Sequence, residues 1–258
     1  MSKPFFQHDP LIFTVGGGEP GRPMDTLRNF KNAIDSGCDV IQSNISFTAD
    51  GKLVLHSDAI YLNTRIKSGG IETRRRSELV ALFNEEETEI PVDSGGEGAL
   101  FPELDSALQD FPEQRYHFFL TGGNPRLAQA FLESIDAAGA ADRILVSAGR
   151  SIIRIIRSAR PDIATAFTLG GVLVFYALFK TGLIGIRKKF PADALILPET
   201  IGVSYIANPG LIHEAKMRGI RTYILDVNGD AAARRFLESG ADGLVTKNAP
   251  LIRSIISR

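Results

Sequence analysis

Apolar residues in this chain fall into short runs that alternate with longer stretches where they recur at helical spacing. Residues 11–15, 40–45, 52–56, 115–121, 143–147, 162–167, 193–197, 221–227 and 242–246 are rich in Val, Ile, Leu and Phe. Gly, Pro, Asp or Asn bound most of them, and the pattern predicts strands. Between the strands the pattern predicts helices. Thr26 is placed to cap one that runs through about Asp35, with Leu27, Phe30, Ala33 and Ile34 on one face. Others are expected over 101–111, 151–159, 209–218 and 231–238. Such alternation argues for a parallel sheet with crossover helices, and (β/α)8 barrels commonly have about this length. A barrel of that kind needs eight strands, and nine candidates are present. The turn Thr48-Ala49-Asp50-Gly51 is too short for a helical crossover, so the surplus strand is expected beside it.

Composition adds limits. At 44% hydrophobic, 258 residues can bury one large core, so 1–258 is expected to form a single domain. A formal net charge of −1 removes any bulk electrostatic case for nucleic acid as a partner. Cys38 is the single cysteine, which excludes an intramolecular disulfide and fits a reducing compartment. It reads as a nucleophile or, more simply, as a small strand residue. The opening M-S-K-P-F-F-Q-H-D-P has no apolar secretory core, so a cytoplasmic location is expected. The polar stretch 66–100, with Arg74-Arg75-Arg76 and an acidic run at 85–87, reads as a helix and a solvated loop.

One segment changes the picture. From 169 to 186 eighteen residues carry one charge, Lys180, and Arg187-Lys188-Lys189 follow. Length and flank suit a spanning helix, but four glycines and Lys180 speak against it. Val172, Phe175, Tyr176, Phe179 and Leu183 share a helical face, which suits a barrel helix or a helix resting on lipid. Peripheral membrane contact through 169–189 therefore stays open.

Candidate chemistry centres on 37–56, G-C-D-V-I-Q-S-N-I-S-F-T-A-D-G-K-L-V-L-H. Gln42 and Asn44 stand two residues apart, so on a strand they point the same way, and His56 arrives from the next strand. The stretch resembles the glycerophosphodiester phosphodiesterases, which read G-A-D-x-I-E-x-D-V-x-x-T-x-D-G-x-x-V-x-x-H-D here. The likeness continues through residues 12–17 and 23–26, the Pro102 region, and the C-terminal runs 219–228 and 240–246. It implies an α/β fold, a TIM barrel of the phospholipase-C-like phosphodiesterase type. It also implies a chemistry in which carboxylates hold Mg²⁺ or Ca²⁺ and two histidines move protons to and from the bridging oxygens.

Position by position the scaffold matches and the chemistry does not. Gly37, Asp39, Thr48, Asp50, Gly51, Pro102, Gly219, Asn228 and Gly243 agree with the family. Its metal acids, however, fall on Gln42, Asn44 and Phe119, its first histidine and the adjoining arginine on Thr14 and Val15, and a phosphate-steadying lysine on Thr121. Met24, Ser57 and Lys247 replace further family acids. Amides keep the carbonyl acceptor but lack the charge a hard cation demands, and a phenyl ring offers no oxygen. No metal cofactor is therefore expected. His56 is left either as a proton carrier or as a hydrogen-bonded structural residue.

Three readings follow. In the first, the chain is a catalytically inactive member whose Thr14, Gln42, Asn44, His56, Thr121 and Asn228 line the mouth. The occupant there would be a small polyol, a glycerophosphodiester or a lipid head group, which places the protein in lipid metabolism. In the second, it hydrolyses glycerophosphodiesters to sn-glycerol 3-phosphate and an alcohol through a relocated site drawn from Asp25, Asp58, Asp226 and His56. In the third, it is a peripheral membrane interaction protein that binds through 169–189.

Overall fold

The computed structural model describes residues 3–7, 10–18, 24–57, 70–84, 100–187, 189–202 and 204–257. Asp58, Lys188, Pro23 and the acidic run at 85–87 lie outside them. The strands are β1 (Leu11–Val15), β2 (Val40–Phe47), β3 (Leu53–His56), β4 (Arg115–Leu120), β5 (Ile144–Ala148), β6 (Ala164–Thr165), β7 (Ala194–Pro198), β8 (Thr200–Ile201), β9 (Ser204–Tyr205), β10 (Arg221–Leu225) and β11 (Gly243–Thr246). Eight of them lie side by side in the order β6-β5-β4-β2-β1-β11-β10-β7. A parallel bridge from Ala166 to Ala194 joins the two ends into a cylinder. The fold is a (β/α)8 barrel. The surplus strand is β3, where the sequence placed it. It runs antiparallel along the far half of β2 and sets His56 opposite Asn44.

The helices are α1 (Leu27–Asp35), α2 (Arg76–Asn84), α3 (Leu104–Asp110), α4 (Pro125–Ala137), α5 (Arg150–Ala159), α6 (Leu169–Lys180), α7 (Pro209–Lys216), α8 (Asp230–Glu238) and α9 (Ala249–Ile256). Thr26, Asn124, Thr168, Asn208 and Asn248 cap α1, α4, α6, α7 and α9, each accepting a first-turn N–H. Each such cap typically contributes about 1 kcal/mol.

Two cores result. Outward-facing strand residues such as Ile12, Ile41, Ile45, Phe118 and Val146 pack against the helices. Inward-facing Leu11, Phe13, Val40, Leu145, Ala164, Ala194, Tyr223 and Val245 fill the cylinder, and Phe5 and Phe6 belong to the same cluster. Phe13 and Tyr223 lie 4.6 Å apart between ring centres. Burial of a Phe side chain stabilises by roughly 1.5–3 kcal/mol.

At the N-terminal ends of the strands one device occurs three times. Asp39, Asp193 and Asp242 each stand one residue before a strand, and each carboxylate accepts the backbone N–H of a residue on the neighbouring strand. The donors are Ile12, Thr165 and Thr222, each at 2.8 Å. Arg253, Lys3 and Arg221 respectively pair with the same carboxylates. These acids hold neighbouring strands in register at the face of a barrel that serves stability rather than chemistry.

Several boundaries differ from the sequence expectation. The helix expected from Phe101 begins at Leu104. Pro102 instead accepts the Leu55 N–H at 2.9 Å and Glu103 bridges Val54, so this stretch runs extended beside β3. β10 stops at Leu225 because Asp226 takes φ 59. α6 ends at Lys180, after which Gly182 turns left-handed at φ 71 and Leu183 enters a 3-10 turn. Leu183 therefore leaves the buried face expected for it and is 49% exposed. The β8–β9 hairpin was not legible in the sequence.

Candidate functional site

Alternation along each strand decides what reaches the barrel mouth. Phe13 belongs to the interior cluster, so its neighbours Ile12 and Thr14 face the helices. This corrects the expectation for Thr14: its hydroxyl sits 3.0 Å from Cys38 Sγ, buried behind the strand. Cys38 also donates to the Val40 carbonyl at 3.0 Å. Burial pushes its thiol up to about 12, which fits a packing residue and not a nucleophile.

Gln42 and Asn44 do share the inward face of β2. Register places Gln42 beside His117 and Asn44 beside Phe119 on β4. The three positions aligned with metal acids are thus gathered at one end of the cylinder, and His56 flanks Asn44 from β3. Phe119 stands 45% exposed there. The frame is present and the donors are not: two neutral amides and a phenyl ring do not fit a hard divalent cation. Among the described residues no group of three or more His, Cys, Asp or Glu could hold a metal ion.

Two hydrogen-bonded chains organise the polar groups. In the first, His117 Nδ1 lies 3.1 Å from Gln42 Oε1 and its Nε2 lies 2.7 Å from Ser147 Oγ. An amide oxygen only accepts, so Nδ1 carries the proton and the Ser147 hydroxyl donates to Nε2. In the second, Thr121 donates to the Ile45 carbonyl at 3.0 Å, Ser46 donates to Thr121, and His56 Nε2–H donates to Ser46 at 2.9 Å. Thr121 is therefore at the mouth but committed to the protein. His56 is fully buried.

Desolvation lowers both imidazoles, His56 to about 4 and His117 to about 3; the Ser57 backbone opposes the shift at His56. A proton carrier near neutral pH works best with a pKa near that pH, and His56 is far from it. Both histidines are neutral in the folded protein where the unfolded chain, with ordinary values near 6.5, begins to take up protons. Stability is thus full above about pH 6.5 and falls as pH drops towards 4, by up to ~1.4 kcal/mol per pH unit for each histidine. Urea midpoints measured from pH 7 to 4.5 should show this slope, and His117→Gln should remove about half of the histidine part.

Asn228 is exposed and serves the loops. Its Oδ1 accepts from Thr246 at 3.2 Å and from the Lys247 N–H at 2.8 Å, while its Nδ2 donates to Asp226 at 2.7 Å. The relocated-metal alternative finds no assembly among the described residues. Asp25 is buried and held by Ser43 at 2.6 Å, on the face of β2 away from Gln42 and Asn44. Asp226 stands exposed beyond β10.

His117 is the residue sequence reasoning missed. Its signal was present: it shares strand parity with Phe119 and Thr121, so it had to face inward.

A parallel barrel whose mouth carries this strand–turn–strand frame is the architecture that the sequence resemblance implied. The comparisons agree. The model of the glycerophosphoryl diester phosphodiesterase family matches residues 17–250, and the chain belongs to that family. It is similar to the lysophospholipase D GDPD1 of Mus musculus, 23% identical, with 89% of this chain and 81% of that protein covered. Among solved structures it is similar to a phosphodiesterase of Oleispira antarctica in complex with the product sn-glycerol-3-phosphate. That match has a TM-score of 0.74 at 16% identity and covers 97% of this chain and 98% of the other. A glycerophosphoryl diester phosphodiesterase domain from Mycobacterium tuberculosis gives 0.75 at 15% identity, with 96% and 99% covered.

Proposed function

We propose that this chain, as one barrel domain over 1–258, binds a small ligand at the mouth without metal-dependent hydrolysis. The carrying observation is the adjacency of Gln42, Asn44 and Phe119 at the family's metal position, with Gln42 tied to His117. Amide donors and acceptors beside an exposed phenyl ring suit a neutral polyol or the glycerol end of a glycerophosphodiester or lipid head group. The sn-glycerol-3-phosphate held by the Oleispira antarctica relative supports that ligand class.

The test is hydrolysis of glycerophosphocholine and glycerophosphoethanolamine with Mg²⁺, Ca²⁺ or EDTA, alongside thermal shift. The expected result is no turnover, no stabilisation by either metal, and stabilisation by glycerophosphodiester. A triple variant Gln42→Glu, Asn44→Asp, Phe119→Glu should acquire metal-dependent stabilisation. EDTA-sensitive turnover by the unaltered protein, lost in His56→Ala, would overturn the reading and favour a working phosphodiesterase.

A further inference from the structure

Outside the mouth, a cleft of about 570 Å³ opens between α5, α6 and the turn after Arg187. Arg150, Arg154, Arg157 and Arg187 line it, and no acidic residue does. Among the described residues none of the four makes an ion pair. Arg157 spends Nε on the Thr165 hydroxyl at 2.9 Å and Nη2 on the Ala166 carbonyl at 3.1 Å. Arg187 lies over the Phe190 ring at 4.8 Å and donates to the Lys189 carbonyl. Arg150, Arg154 and Arg157 recur at helical spacing, so one face of α5 delivers three guanidinium groups to one wall.

The facing wall suits an anion as well. Thr168, Gly170 and Gly171 put the N-terminal turn of α6 on the cleft, where the helix dipole favours negative charge. Arg150 lies against this turn, since a Cβ built at Gly170 would stand in ordinary contact with its guanidinium at 3.8 Å. Arg157 feels the Asp193 carboxylate, which shares the Thr165 hydroxyl with it, whereas Arg150, Arg154 and Arg187 have no ion-pair partner among the described residues and leave the cleft a net cationic surface. Guanidinium forks match phosphate oxygens.

The cleft has an apolar lip. Leu169, Leu173 and Val174 on α6 are 73%, 51% and 46% exposed, and Leu183 and Ile186 in the following turn are 49% and 78% exposed. Val174 belongs to both lip and cleft wall. From Ile163 to Ala192 the chain carries no acidic residue, while Lys180, Arg187, Lys188 and Lys189 are basic. Among the described residues no helix is long and apolar enough to cross a membrane. Apolar side chains at the edge of a cationic cleft fit an interfacial mode instead.

We propose that this face docks on an anionic phospholipid surface, with a lipid phosphate seated among Arg150, Arg154, Arg157 and Arg187 while Leu169, Leu173, Leu183 and Ile186 enter the interface. Because α5 and α6 begin at the C-terminal ends of β5 and β6, docking would set the barrel mouth beside the lipid. Docking through this face does not depend on whether the mouth hydrolyses anything.

The test is co-sedimentation of the full chain with phosphatidylcholine vesicles, with or without phosphatidylglycerol at about a third of the lipid. Binding is expected to the anionic vesicles only and should weaken as salt rises from 50 to 500 mM, conditions set for the assay. A basic residue near such a surface contributes about fivefold, so Arg154→Glu with Arg187→Glu should lose about 25-fold or more. Leu173→Ser with Ile186→Ser should weaken binding at every salt concentration. All four substitutions fall on exposed residues, so melting temperature is expected to stay constant. Equal binding to neutral vesicles, or anionic binding indifferent to the arginine reversals, would overturn the proposal. So would full displacement by millimolar inorganic phosphate, the mark of a small-anion site. A concentration-dependent dimer abolished by Leu173→Ser, with no vesicle binding, would assign the face to a second copy instead.

Discussion

Alanine at Gly243 is expected to cost roughly 3–5 kcal/mol and to leave little soluble protein. Gly243 opens β11 directly opposite Leu11 of β1. A Cβ there would lie 2.2 Å from the Leu11 carbonyl oxygen and 3.0 Å from two further backbone atoms. Backbone cannot swing aside as a long side chain can, so relief requires β1 and β11 to part. Parting them loosens the Leu11 and Phe13 layer at the centre of the interior core. Denaturant titration of Gly243→Ala against Gly51→Ala tests this. At Gly51 an added Cβ meets nothing within 4 Å, although its φ of 76 disfavours alanine. A Gly243 variant no less stable than the Gly51 variant would mean the strands can separate at small cost.

His117→Ala is expected to cost about 3–4 kcal/mol. The ring is buried in the cylinder and packs edge-on to Phe13 at 6.2 Å. Removing it leaves a cavity and strips partners from Gln42 and from the buried Ser147 hydroxyl. Cavity formation and orphaned polar groups each contribute 1–3 kcal/mol in comparable settings. His117→Gln keeps an amide that can reach one of the two partners and should lose about half as much. Urea midpoints at pH 7 separate the outcomes, and a loss below about 1 kcal/mol for His117→Ala would remove the histidine from the barrel's polar framework.

The barrel was legible because strand and helix patterning, turn chemistry and glycine placement agreed along most of the chain. Even the surplus strand was placed, since a four-residue turn cannot carry a crossover. That Gln42 and Asn44 share a face was legible from strand parity, and the resemblance grouped Phe119 with them, but the β2–β4 register that makes them neighbours was not legible. Thr14 was misplaced by trusting alignment over alternation: its neighbour Phe13 is the inward residue. Of the three strand-initiating aspartates only Asp39 stood out, as a scaffold match, and their common role needed the neighbouring strands' N–H groups in place. Arg150, Arg154 and Arg157 were readable as one helical face, but nothing in the sequence brings Arg187 to meet them. That meeting depends on where α6 ends and how the chain returns to β7.

The cylinder is not equally sealed around its circumference. β2 and β4 share six paired residues, whereas β6 meets β5 at two and meets β7 through one bridge. The narrow join is backed from outside by Arg157 reaching Thr165 and Ala166, and by Asp193 holding the Thr165 N–H. Arg154, on the helix before β6, and Arg187, on the chain before β7, both line the cleft outside it. An anion held between them would act as a clasp near the weakest stave of the barrel, so a lipid surface bound there would become part of what keeps it closed.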